Sequence, residues 1–251
     1  MSAVYPSLKG KRVVITGGGS GIGAALVEAF SRQGAKVAFI DILDAESAAL
    51  EASLASQASP PRYYPCDLRD LDAVKATFAA MTHDAGPADI LINNAANDDR
   101  HQIEDITAES WDERINVNLR HHLFCSQAVI PAMKAAGKGV IVNFGSISWH
   151  LGLTGLILYE TAKAGIEGMT KAMARELGPH GIRVTCVVPG NVKTPRQMKW
   201  YTPREEDEIV SSQCLPGRIQ PSDVAALVLF LASDDARMLT GHEYWIDAGW
   251  C

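Results

Sequence analysis

Short apolar, β-branched runs alternate with longer stretches of helical period along the whole chain. Residues 11–16 (KRVVIT) lead straight into a glycine-rich turn and then a helical pattern that stops at Gly34, the residue type best suited to the left-handed position after a helix. Residues 35–41 (AKVAFID) read as a second strand, and an alanine-rich helix covers about 45–57. Ser59-Pro60-Pro61 breaks the chain before a third strand within 62–68; a helix over 71–83 then precedes Gly86-Pro87 and the strand 88–93 (ADILIN). A long helical region spans about 110–136, with a capping pattern at Thr107 or Ser110 marking its start. The strand 140–146 (VIVNFGS) follows a Gly-Lys-Gly turn, and the next helix ends at Leu177 before Gly178-Pro179. A strand at 182–190, a polar, proline-punctuated segment at 193–217, a helix at 223–233 and a strand at 242–249 complete the chain.

Most strand runs lack polar alternation, the mark of a parallel sheet buried on both faces. Strand and helix alternating in this way predict one α/β domain over 1–251, a doubly wound sheet with helices on both faces. At 47% hydrophobic, the 251 residues can bury a large core, and a net charge of −6 argues against nucleic acid or an anionic membrane as the main partner. No apolar run approaches the twenty or so residues of a membrane span, and the first residues lack the apolar core of a signal peptide. Five scattered cysteines suggest neither a disulfide framework nor a zinc site, so a cytoplasmic setting is expected.

Two stretches carry candidate chemistry. The first is Thr16-Gly17-Gly18-Gly19-Ser20-Gly21-Ile22-Gly23, between a strand and a helix. Glycines there allow a tight turn and close approach to a pyrophosphate, with a helix N-terminus beyond. Asp41 closes the second strand eighteen residues after Gly23, where a carboxylate can bind both hydroxyls of an adenosine ribose and repel a 2′-phosphate. That predicts NAD rather than NADP. Asp67, with Leu68 after the third strand, can either reach adenine or cap the next helix. The second stretch is 146–163 (SISWHLGLTGLILYETAK). Tyr159 and Lys163 are four apart, on one face of a helix. A nearby ammonium favours a phenolate and so makes a phenol usable as a base. Ser146, thirteen residues earlier, can hydrogen-bond the oxygen that the tyrosine deprotonates.

With these residues in place, the chain resembles the short-chain dehydrogenase/reductase family over essentially its whole length. TGGGSGIG resembles that family's TGxxxGxG, and Tyr159 to Lys163 its YxxxK. Asn118 lies in NVNL, Ser146 has the family spacing, and Pro189-Gly190 follows the sixth strand. The family's NNAG stands here as Asn93-Asn94-Ala95-Ala96, a departure that removes no hydrogen-bond donor. The resemblance implies a Rossmann-type sheet of about seven strands in the order 3-2-1-4-5-6-7. It implies that Tyr159 takes a proton, that Lys163 holds the tyrosine's pKa down and binds the nicotinamide ribose, and that Ser146 steadies the reacting oxygen. Asn118 would hold a water linking Lys163 to solvent. Asn94, Val192 and Thr194 would contact the nicotinamide half, beside Pro189 and Gly190. A homotetramer is implied too, through Ile157, Met169, Met173, Val228, Leu229, Tyr244 and Trp245, although the same residues can equally be core.

Several stretches (NDDRH, NVNLRHHLFC, NFGSISWHLG, VTCVVPGNVKT, GHEYWIDAGW) resemble one branch of that family, the bacterial NAD-dependent D-xylose 1-dehydrogenases. That likeness implies oxidation of an aldopentose at C1 to its lactone. The expected sugar contacts are Asn97, Arg100, Ser146, Trp149, Tyr159, Asn191, Trp200 and Tyr201, under a lid at 193–217. Other substrates remain open: L-arabinose, L-fucose, D-glucose or galactose, or a 3-oxoacyl thioester, which Asp41 and the acidic balance disfavour. A nucleotide-sensing protein without catalysis would typically lack the tyrosine or lysine. His101, His121, His122 and His150 are spread over three elements and are expected to be structural, so no metal is called for.

Overall fold

The computed structural model describes residues 3–199 and 201–251. Seven strands form one parallel sheet: β1 (Arg12–Thr16), β2 (Lys36–Asp41), β3 (Arg62–Pro65), β4 (Ile90–Asn93), β5 (Gly139–Phe144), β6 (Ile182–Pro189) and β7 (Glu243–Ile246), ordered β3-β2-β1-β4-β5-β6-β7. The helices are α1 (Gly21–Arg32), α2 (Asp44–Ser53), α3 (Leu71–Ala85), α4 (Ala108–Ile115), α5 (His121–Ala136), α6 (Ser148–Leu151), α7 (Ile157–Leu177), α8 (Pro203–Ser211) and α9 (Pro221–Ala232).

The unbroken apolar strands explain the two cores. Val13, Ile15, Ile90, Ile92 and Val142 face α1 and α9, while the intervening Val14, Leu91 and Ile141 face α3, α5 and α7. Both faces of each central strand are therefore dry, the condition that favours a parallel sheet covered by helices. Strand order reverses between β1 and β4, so the chain leaves their carboxyl ends in opposite directions and opens a crevice there.

The long helical region is not uniform. A π-helical turn at Asn116–Arg120 joins α4 to α5, and the cap at its start is reciprocal between Thr107 and Ser110. Within 193–217 the structure builds α8, where the polarity pattern predicts no helix: only Ile209 of PREEDEIVS is buried. The available signal was its cap, in which Thr202 and Glu205 bond each other across a proline at the first turn. Of the candidate subunit contacts, Met173, Val228 and Leu229 lie in this chain's own core, whereas Ile157 and Trp245 are exposed.

Candidate active site

The crevice is a cleft of about 430 Å³ that borders every residue assigned to the cofactor on sequence grounds. Its floor begins at Gly17, whose φ of 66° suits glycine and where a Cβ would lie 2.7 Å from the Cα of Ala95. At Gly23 a Cβ would meet the carbonyl oxygen of Gly17 at 1.7 Å. The turn is thus cradled against β4 and the start of α1 with no room for side chains, leaving its backbone open to an anionic ligand at the helix N-terminus. Asn94 fastens this turn: its Nδ2 donates to the carbonyls of Thr16 and Gly17 at 3.0 and 2.9 Å. Its amide N–H groups are therefore committed to the fold.

At the other end, Asp41 accepts from the backbone N–H of Gly19 at 2.8 Å, Ile42 at 2.8 Å and Leu43 at 3.0 Å. Three N–H donors fix this carboxylate on the cleft wall. Asp67 also borders the cleft, its carboxylate gripped by the guanidinium of Arg69, which holds its pKa below the usual range. The cap of α3 is Asp70 instead, bonded to the N–H groups of Asp72 and Ala73.

Near the centre of the sheet, α7 brings Tyr159 and Lys163 to the ends of β5 and β6. The Nζ of Lys163, 1% exposed, donates to the carbonyl of Phe144 at 2.8 Å and lies 5.3 Å from the ring centre of Tyr159. The Ser146 oxygen accepts from the N–H and hydroxyl of Ser148 at 3.1 and 2.9 Å, leaving its own proton to donate. Asn118 lies below the cleft, not on it. Its amide clasps the backbone of Asn97 in both directions, at 2.8 and 2.9 Å, so it sets the loop after β4.

The electrostatics depart from the sequence expectation. Tyr159 is not held low. Desolvation pushes its phenol up, the charge of Asp98 adds to that, and the hydrogen bond from Ser146 and the charge of Arg196 offset part of it. Lys163 is pulled down to about 8 by burial, against the opposing charges of Cys186, Asp98 and Glu167. The ammonium faces the ring and points at Phe144, so desolvation outweighs its help to the phenolate. The spacing in the sequence reveals the pair but not how dry its surroundings are.

Of the expected sugar contacts, Asn97, Arg100, Asn191 and Tyr201 border the cleft with Ser146 and Tyr159; Trp200 lies outside the described residues. Trp149 does not border it. Its indole N–H donates to Glu167 at 2.8 Å and its ring stacks on His150 at 3.6 Å, because a buried carboxylate needs donors more than a cleft needs an aromatic wall. Sequence reasoning missed Asp98, Arg196 and Gln197, all on the cleft; the adjacent acidic pair in NDDR was the available signal.

Known proteins resemble this chain in sequence and in fold. Residues 17–251 match the family model described as enoyl-(acyl carrier protein) reductase. The chain is 70% identical over 249 residues to a D-xylose 1-dehydrogenase of Caulobacter vibrioides, covering 99% of each protein. It is 46% identical over 250 residues to a probable galactose dehydrogenase of Rhizobium meliloti, covering 99% of this chain and 98% of that one. A putative short-chain alcohol dehydrogenase from Sinorhizobium meliloti matches with a TM-score of 0.92 at 29% identity, over 98% of both chains. The chain belongs to the short-chain dehydrogenase/reductase family.

As a short-chain dehydrogenase/reductase it is an oxidoreductase, and the family implies a nicotinamide cofactor. The residues present fit one, since Gly17 and Gly23 leave no room for a Cβ at the turn and a carboxylate anchored on three N–H groups lines the same cleft. Tyr159, Ser146 and Lys163 converge on the cleft, and Asn118 lies one layer below, bonded to the Asn97 backbone.

Proposed function

We propose that the protein oxidises an aldopentose, D-xylose foremost, at C1 to the aldonolactone, with NAD as cofactor. What carries this is full-length 70% identity to a D-xylose 1-dehydrogenase in a chain whose Tyr159, Ser146 and Lys163 meet on one cleft. Gly17 to Gly23, Asp41, Leu68, Val192 and Thr194 hold the dinucleotide. When bound, NAD accepts the hydride, and its oxidised ring brings a positive charge that favours a phenolate nearby.

Tyr159 takes the proton of the C1 hydroxyl, and Ser146 donates a hydrogen bond to that same oxygen. Lys163, 5.3 Å from the Tyr159 ring centre, adds its positive charge to the same side and favours the phenolate. Residues 193–199 and 201–217, with α8, form the cover over the sugar.

The preference for NAD follows from the Asp41 charge, because a 2′-phosphate beside it costs on the order of 1–4 kcal/mol in a partly hydrated site. Asp41→Ser is expected to raise NADP use relative to NAD at least tenfold, read as the ratio of kcat/KM values. An unchanged ratio places the discrimination elsewhere.

The substrate claim is tested with a panel of aldoses and NAD. D-xylose should give the highest kcat/KM; no oxidation of any aldose would sink it. The 46% identity to a probable galactose dehydrogenase favours a hexose as the second reading.

A further inference from the structure

We infer that Asp98 is the group that selects a polyhydroxy substrate, accepting hydrogen bonds from neighbouring sugar hydroxyls while Arg196 holds it in place. The inference rests on the sugar reading above and goes beyond it by naming the residue that recognises the sugar.

Polar capacity around Tyr159 is largely spent within the protein. The Asn191 amide donates to the hydroxyl of Tyr201 at 2.8 Å and accepts from Arg218 at 2.7 Å. The Asn97 side-chain oxygen accepts from Asp99 N–H at 2.9 Å and from Arg196 at 2.8 Å. Arg100 donates to the carbonyl of Thr154. A sugar ring offers a row of hydroxyl donors and needs acceptors with lone pairs to spare.

Asp98 has them. It borders the cleft, and its side chain is 22% exposed. Oδ1 accepts from Arg196 Nε at 2.7 Å and Oδ2 from Gln197 Nε2 at 2.5 Å. An ionised carboxylate has about four acceptor positions, so one remains on each oxygen. Two acceptors on one planar group suit adjacent hydroxyls on one ring. Asp98 also stands close enough to the reacting groups for its charge to act on both Tyr159 and Lys163. A hydroxyl donor held there is therefore presented beside the site of proton transfer. A ketone or acyl thioester without hydroxyl donors would leave the two remaining acceptor positions of the carboxylate without partners, which disfavours it.

Arg196 has a different task. Its guanidinium reaches Asp98, Asp99 and Asn97 from the far side of the cleft. It orients the Asp98 carboxylate, and it ties the covering segment to the loop after β4. It is a positioning residue.

The two roles separate experimentally. kcat/KM is measured for the wild type, Asp98→Asn and Arg196→Gln with D-xylose and with its 2-, 3- and 4-deoxy analogues, and NADH affinity is measured by fluorescence titration. Asp98→Asn should lower kcat/KM for D-xylose roughly ten- to hundredfold, the range of a lost hydrogen bond to a charged group, mainly through KM. For the deoxy sugar that lacks the bound hydroxyl, that loss should shrink to within about threefold. NADH affinity should hold within about twofold. Arg196→Gln should lose a similar factor on every sugar. A loss for Asp98→Asn that is equal across all four sugars, or matched by weaker NADH binding, would overturn the inference and leave Asp98 as a fastening for the cover. Wild-type-like kinetics in Asp98→Asn would overturn it alone, with the sugar reading intact. A wild type inactive on every aldose would overturn both.

Discussion

Tyr159→Phe loses sugar oxidation by about three orders of magnitude or more, the range set by removal of a positioned general base. NADH affinity stays within about twofold of wild type. The substitution deletes one oxygen and keeps the ring that packs beside Lys163, so the cradle at Gly17 to Gly23 is untouched. No other group is placed to replace the phenol. Ser146 is held as an acceptor by Ser148, and Lys163 is turned toward Phe144. Steady-state kinetics beside a fluorescence titration checks both halves. A Phe variant within tenfold of the wild-type kcat would mean that another group takes the proton.

Lys163→Met is expected to be inactive and yet more stable than the wild type at pH 7. The lysine is 1% exposed, and burial lowers its pKa to about 8 from 10.5. Between those two pH values the unfolded chain binds the proton that the native chain has released, so stability rises with pH across that window. Below pH 8 the native state carries the whole cost of a buried charge, on the order of 3 kcal/mol for a shift of this size. Above about pH 10.5 both states are neutral and the cost is gone. Methionine fills the space without the charge but forfeits the hydrogen bond to the Phe144 carbonyl, about 1 kcal/mol. The net gain is about 2 kcal/mol at pH 7, falling away toward pH 10.5. Urea denaturation of the cofactor-free protein at the two pH values measures it. A variant less stable than the wild type at pH 7 would show that Lys163 braces the end of β5 more than its charge strains it. In the expected case, activity is maintained at a cost in stability.

The central sheet was legible because Val13 to Thr16, Ile90 to Asn93 and Ile141 to Phe144 are apolar on both faces, or nearly so, a pattern with few structural alternatives. The glycine turn was legible for a similar reason, since a Cβ at Gly17 or Gly23 collides with backbone. The π-helical turn at Asn116–Arg120 left no trace, because a shift of one residue in hydrogen bonding hardly changes the spacing of apolar positions. The same turn presents Asn118 to Asn97, so its clasp role was hidden with it. Helix α8 was missed because one buried residue makes no periodic pattern. Trp149 was assigned to the sugar pocket by proximity to Ser146. Its direction depends on Glu167, eighteen residues away on another helix. Asp98 owes its place to Arg196 and Gln197, contacts nearly a hundred residues apart in the chain. Local pattern carries the scaffold and the reacting groups, whereas long-range pairing decides what surrounds the substrate.

The most direct test follows the hydrogen on the anomeric carbon. Purified protein is given NAD and D-xylose carrying deuterium at C1, with the reduced nucleotide analysed by mass spectrometry and the sugar product by NMR. Deuterium should appear in the NADH, turnover should slow relative to unlabelled sugar, and the aldonolactone should be the first product. NADH free of deuterium, or a product oxidised at any carbon other than C1, would contradict hydride removal from C1 at Tyr159.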